Sequence, residues 1–381
     1  MLTSSPRNML STLILALLSV LAAVLVSTTP LQAAEVDDLY DVELLVADES
    51  SSERQQAFVT GLDEIFVRVS GDSIIMDKIK RPNASSYVKQ FHYSPVDDPR
   101  PDKDGKMLAY RLFVQYNGSM VERNLREQKF PVWGQLRPDV AVWLAVYDGR
   151  NEYVLRDSDE SLIKSSMASA MKRRGVPERW PLYDATDRRM LSIADIRGGF
   201  DDAIHAASRR YTIGPALSAS LRWNGNTWQS SWNLILSGET RHWSIDGDDY
   251  QSLIDRAIDR AADAMGQVYA VSDIDASRQF AVLRLEIQSV DDIDKYRQVE
   301  DYLANLAAVN KVLPVGIDAG HVRFDVSLRS STSDFLNLVR NDARLAKLDV
   351  EKPEPSSIEA LQAGQGVVSE PAADYSFRLI N

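Results

Sequence analysis

The sequence predicts an α/β chain of the α+β kind, built from several small mixed-sheet modules. Two observations carry this. The hydrophobic period switches repeatedly between two and about 3.6 residues, with turn and cap residues at each switch. The 381 residues, 44% of them hydrophobic, exceed a single domain of ~100–200 residues.

A leader comes first. Arg7 is the only charge before the apolar run Leu13–Val26, and Pro30 and the small residues Ala33 and Ala34 follow. This is the order of a secretory signal peptide, residues 1–33, cut at Ala33 or Ala34. The run is shorter than the ~20 apolar residues of a spanning helix. An uncleaved anchor, the chain's one tie to a membrane, is the alternative.

The first module spans residues 35–134. Tyr40, Val42 and Leu44 alternate onto one face of a strand. Ser50 and Glu53 form a capping box before the helical stripe Phe58, Leu62, Ile65, Phe66 and Val69, which Gly71 ends. Tyr87–Tyr93 and Tyr110–Tyr116 read as a hairpin across a polar loop, Pro95–Lys106. A second helix follows Asn117-Gly118. The order is β-α-β-β-α.

The middle module spans 137–271. Val140–Val146 is apolar on both faces and therefore a central strand with helices on both sides. A helix covers Asp159–Arg174, and Pro181–Asp184 reads as a short strand. Two short helices follow at Ile193–Arg197 and Phe200–Arg209. Leu217, Ala219, Leu221 and Trp223, then Asn224-Gly225-Asn226, then Trp228, Trp232, Leu234 and Leu236 make a Trp-rich hairpin. A long amphipathic helix covers Asp248–Val268. The last module, 278–350, orders its elements β-α-β-β-α-β, a ferredoxin-like split βαβ. Residues 351–381, rich in Pro, Glu, Ser and Gly at their start, read as a disordered tail.

Composition excludes several chemistries. With no cysteine there is no disulfide, thiolate metal site or Cys nucleophile. The four histidines, His92, His205, His242 and His321, are scattered and leave no metal-ligand spacing. Lys+Arg 43 against Asp+Glu 55, a net charge of −12, argues against general nucleic-acid binding, which needs a basic face. Ser161–Lys164 and Ser169–Lys172 match S-x-x-K but lack the companion elements of an acyl-transfer site. Asp97–Gly105 lacks the residue order of a calcium loop. No cofactor motif occurs.

Four residues fit partner anchors. Trp133 and Trp180 lie beside Pro and Gly, where side chains tend to be part-exposed, and Arg137 and Arg179 accompany them as Trp-Arg interface pairs. An acid cluster of Asp184, Asp187 and Asp195 near Trp180 is the place for paired-carboxylate hydrolase or transferase chemistry. Trp223, Trp228 and Trp232 fall on the inward face and read as core, with a glycan or small-ligand groove as the alternative.

Four stretches resemble a known family: Glu35–Tyr40, Arg68–Asp72, Phe130-Pro131-Val132-Trp133-Gly134 with Arg137-Pro138, and Val142–Ala145. They are similar to an uncharacterised family of exported Gram-negative proteins, the domain of unknown function DUF2066. Phe130 replaces the family's usual Leu, and Thr212–Pro215 departs from its pattern. The resemblance implies the periplasm, or an inner-membrane anchored form facing it, and implies no catalytic residue. The middle module's element order is similar to envelope accessory domains, such as those of the Tol-system propeller protein, which bind other proteins; this is fold analogy. The expectation is therefore a non-enzymatic periplasmic accessory protein that binds an envelope protein.

Overall fold

The computed structural model describes residues 34–102, 104–212, 214–273, 281–318, 320–342, 344–348 and 373–380. The signal segment, Ala33 included, lies outside the described residues, as does 351–372 of the tail. Among the described residues the chain is mixed α/β, and no helix is long and apolar enough to cross a membrane.

Strand β1 (Ala34–Glu35) is followed by β2 (Asp41–Val46), helix α1 (Ser51–Ser70), β3 (Val88–Pro101), β4 (Met107–Tyr116) and α2 (Gly118–Glu127). Ser50 caps α1 by accepting from the Glu53 N–H at 3.4 Å. The Glu53 carboxylate reaches Ala47 N instead of closing the expected box. Gly71, at φ 70°, ends the helix. The predicted stripe packs on Val42, Leu112, Val114 and Tyr116 of the antiparallel sheet β2-β4-β3. The expected polar loop is mostly strand: β3 runs on to Pro101, with a register shift between Pro95 and Arg100, so the hairpin is a long arm.

The middle module begins with β5 (Leu136–Arg137), which pairs with β1. Then come β6 (Val140–Tyr147), β7 (Glu152–Val154), α3 (Leu162–Arg173), β8 (Glu178–Arg179), α4 (Ala185–Met190), α5 (Ile193–Gly198) and α6 (Asp201–Ser208). Strands β9 (Ala216–Trp223), β10 (Trp228–Leu236) and β11 (Glu239–Gly247) precede α7 (Tyr250–Tyr269). The sheet runs β11-β10-β9-β6-β7, with β8 beside β6. As the unbroken apolar run requires, β6 buries both faces. Val140, Val142 and Leu144 pack with α3 and α7, and Ala141, Trp143 and Ala145 pack with α5 and α6. Pro181–Asp184 is not a strand; Asp184 caps α4.

The last module holds β12 (Val282–Gln288), α8 (Ile293–Asn305), β13 (Val309–Asp318), β14 (His321–Leu328), α9 (Thr332–Asp342), β15 (Leu345–Leu348) and β16 (Tyr375–Leu379). Its sheet order is β13-β14-β12-β16-β15. The expected β-α-β-β-α-β order is present, but the C-terminal strand enters the sheet, parallel to β12 and antiparallel to β15. The tail assignment is corrected there. Phe377 and Leu379 alternate into the same core as Leu285 and Ile287, so this five-residue strand is held by burial on one face.

The first two modules meet at a seam built on Arg137. Its side chain is 0% exposed. Its Nε donates to Gly134 O at 3.0 Å. One Nη donates to Arg174 O and Gly175 O at 2.9 and 3.1 Å, and the other to Arg68 O and Trp133 O at 2.8 and 2.9 Å. All five N–H groups of a guanidinium are thereby used. Two of the acceptor sites are helix C-termini, α1 and α3, whose last carbonyls lack helical partners and carry the negative end of the dipole. Gly71 and Gly266 close the seam: a Cβ on Gly266 would lie 2.5 Å from Gly71 O.

Arg137→Met should destabilise the fold by about 3–5 kcal/mol, since it strands buried acceptors. Arg137→Lys should not restore it, because an ammonium offers three donors and no planar fork. Urea denaturation of both variants checks this; a lysine variant as stable as wild type would contradict it.

Candidate functional site

Three of the four expected anchors are buried. Trp133 is 1% exposed, its ring stacked on Tyr269 at 6.0 Å with the Arg137 guanidinium 4.0 Å from it. These two residues hold the seam and are not presented to a partner. Trp180 is 7% exposed and packs in the middle core, where its Nε1 donates to Glu178 Oε1 at 3.0 Å. Arg179 alone is at the surface, 54% exposed, with Nε on Asp139 Oδ2 at 2.9 Å. Gly134, whose place beside Trp133 suggested an exposed loop, instead belongs to the turn that closes the seam, its carbonyl accepting from Arg137.

The acid cluster is split. Arg210 grips Asp184 through both carboxylate oxygens at 2.8 Å and Asp187 at 2.9 Å. Asp187 is fully buried and also accepts from the Tyr211 hydroxyl. The Arg210 bonds hold the Asp184 carboxyl well below the usual range. Asp195 sits apart in the capping box of α5 with Ser192. All three carboxylates have structural bonds.

Ser161 caps α3 by accepting from Lys164 N, and the Lys164 ammonium donates to Asp157 O. Trp232 is core and stacks on Trp243, while half-buried Trp223 and Trp228 lie 5.4 Å apart at the end of the same face. Among the described residues no three His, Asp or Glu side chains form a group that could hold a metal ion.

The site that stands out was not expected. A cavity of about 500 Å³ lies where the outer face of the β2-β4-β3 sheet meets α3. Helix α1 covers the other face of that sheet, so Asp41, Glu43, Phe113, Gln115, Gln90 and His92 face outward. They stand in cross-strand rows: Asp41, Gln115 and Gln90, then Glu43, Phe113 and His92. The Phe113 and His92 rings stack at 4.6 Å. Ser169, Lys172 and Arg173 of α3 form the facing wall.

Most charges there are neutralised within the protein. Lys172 pairs with Asp38 at 3.1 Å, Arg68 with Glu64 at 2.6 Å, Arg111 with Glu43 at 3.0 Å, and Arg173 with Asp259 at 2.9 Å. Burial lowers the Arg68 pKa below the ordinary value. Burial also opposes the charge of Arg173, but Asp259 outweighs it and the pKa rises. The Asp41 carboxylate and the Gln90 and Gln115 amides have no hydrogen-bond partner among the described residues. Strand parity alone places Asp41 and Glu43 opposite the inward set Tyr40, Val42 and Leu44. The contribution of α3 had no sequence signal.

A family model described as a domain of unknown function (DUF8605) matches residues 33–134. The match supports an uncharacterised family for this stretch, and it is a different family from the DUF2066 that the motifs suggested. No curated protein matches. One solved structure, described as "Crystal structure of uncharacterized protein", is similar at 11% identity and a TM-score of 0.15, covering 34% of this chain and 90% of that one.

A pH-dependent effect follows from Glu178. Burial raises its pKa, and its Oε2 is buried without a partner. The folded state thus holds this proton more tightly than the unfolded state, so stability falls as pH rises above ~4.3, the unfolded value. Glu178→Gln removes that slope. Urea unfolding of both proteins at pH 4 and pH 7 should show the variant gaining relative to wild type at the higher pH. Parallel behaviour at both would contradict the assignment.

Proposed function

We propose that this is an exported, non-enzymatic protein of the periplasm that acts by binding an envelope protein. The observation that carries the reading is the cavity between the first two modules. It offers three polar side chains that make no hydrogen bond among the described residues, Asp41, Gln90 and Gln115, inside a space within the usual ~300–1,000 Å³ of binding sites. The structural bonds of Asp184, Asp187 and Asp195 weigh in the same direction, since a general acid or base needs a carboxyl free to exchange its proton with substrate. Export is supported by the leader of residues 1–33. Cleavage after Ala33 would leave Ala34 as the first residue of the β1–β5 ladder, whose register is Ala34 with Arg137.

Two measurements check this. Expressed with its leader in a Gram-negative host, the chain should be recovered from the periplasm with a mass beginning at Ala34. Recovery from the membrane with residues 1–33 intact would replace export with anchoring. In a pull-down from a native envelope fraction, a protein retained by wild type should be lost by the combined Asp41→Arg, Gln90→Ala, Gln115→Ala variant. Identical recovery by both would overturn the cavity as the binding site.

A further inference from the structure

The sheet beside the cavity has an open edge. Tyr116 N–H donates to Tyr40 O at 2.9 Å, and β2 pairs with β4 without a register shift, Asp41 opposite Gln115 through Val46 opposite Tyr110. In an antiparallel ladder the bonded pairs alternate. The backbone groups of Val42, Leu44 and Val46 therefore turn to β4, and those of Asp41, Glu43 and Leu45 turn away. The outward pair of Asp41 is used, its N–H on Asp38 O at 3.0 Å and its carbonyl on Arg68 Nη1 at 2.8 Å. The N–H and C=O of Glu43 and Leu45 have no partner among the described residues, and the Leu45 side chain is 51% exposed.

Exposed strand edges are usually guarded. The opposite edge of the same sheet, β3, carries Pro95 and two register shifts. One of the two edge strands of the last module, β13, carries Pro314 and two shifts as well. The edge of β2 is regular, and it borders the cavity to which Asp41 and Glu43 contribute. Among the described residues the Asp41 carboxylate in that cavity makes no ion pair, and it acts on the Arg68 guanidinium only through space.

We propose that the edge of β2 accepts an extended basic segment of a partner protein as an added strand, with a lysine or arginine of that segment on Asp41. This rests on the protein-binding reading and specifies its mode. Main-chain bonds to Glu43 and Leu45 supply the pairing, as in other cases of strand addition. Asp41, with the Gln90 and Gln115 amides beside it, selects the positive side chain. Four or five residues of peptide suffice for an edge that offers two outward backbone pairs.

The probe is a fluorescein-labelled heptapeptide of alternating valine and lysine, tested on the full chain by anisotropy and by amide hydrogen exchange. Saturable binding is expected, with exchange at Glu43 and Leu45 slowed at least tenfold. Asp41→Asn should weaken binding at least fivefold. Leu45→Pro should abolish it while leaving the unfolding midpoint near wild type, because the lost N–H faces outward and edge proline is tolerated. The valine–glutamate counterpart should not bind. The proposal is overturned if the acidic peptide binds as well, if binding survives Leu45→Pro, or if lysinamide alone competes at equal concentration, which would make the cavity a small-cation site. The pull-down decides whether a protein is bound at all; this measurement decides only whether β2 binds it.

Discussion

A single buried guanidinium sets the arrangement of the first two modules. Among the described residues Arg137 has no carboxylate partner; its charge is solvated by five backbone carbonyls. Desolvation lowers its pKa well below the ordinary value, and the neighbouring cations Arg68 and Arg174 push the same way. Such a group is tolerable only where every donor is met, since an unmet buried charge costs several kcal/mol. The acceptors come from the ends of α1 and α3 and from the Trp133–Gly134 turn, so the position of each is fixed relative to the others. The neighbouring arginines extend the clasp. Arg68 Nε donates to Arg173 O at 2.9 Å, and Arg174 reaches Asp259 and Asp263 of α7. Asp263 in turn accepts from Ser73 N and Oγ just after α1.

This clasp explains why the close approach of Gly71 and Gly266 is kept. The arginines bring the end of α1 and the body of α7 together at backbone distance, and Trp133 fills the remaining space against Tyr269 and Gly71. Packing of that kind does not survive a gained methyl group without displacement, because protein interiors have few voids to absorb it. Val132 and Val271 complete the junction by exchanging both backbone hydrogen bonds at 2.9 Å.

The elements with strong local signals were legible in the sequence. The α1 stripe, the doubly buried β6, the Asn224–Asn226 hairpin turn and the α7 stripe all rest on period and turn chemistry that neighbours in sequence supply. What was misread depended on remote partners. Trp133 and Arg137 carry the composition of an interface pair, and only the arrival of Gly71, Tyr269 and two helix ends makes them core. Strand β11 alternates Arg241, Trp243 and Ile245 beside polar residues, a weaker signal than the hairpin before it. Strand β16 follows a segment with no period, and its place between β12 and β15 is a long-range pairing. The candidate site was half legible. Alternation in β2 marks Asp41 and Glu43 as outward, but nothing local announces that Lys172 and Arg173 face them.

The same long-range constraint gives the cavity its character. Its floor belongs to the first module and its wall to α3 of the middle one, so its width is set at the seam, by the bonds that Arg68 and Arg137 make to the end of α3. A cavity whose walls are fixed before a ligand arrives loses less conformational entropy on binding than one that must assemble. The internal ion pairs act in the same sense. Lys172 pairs with Asp38 and Arg68 with Glu64, while Asp41 makes no ion pair among the described residues. The seam and the cavity are thus coupled through the Arg68 side chain, which donates to the Asp41 carbonyl at 2.8 Å on one side and to the α3 terminus on the other.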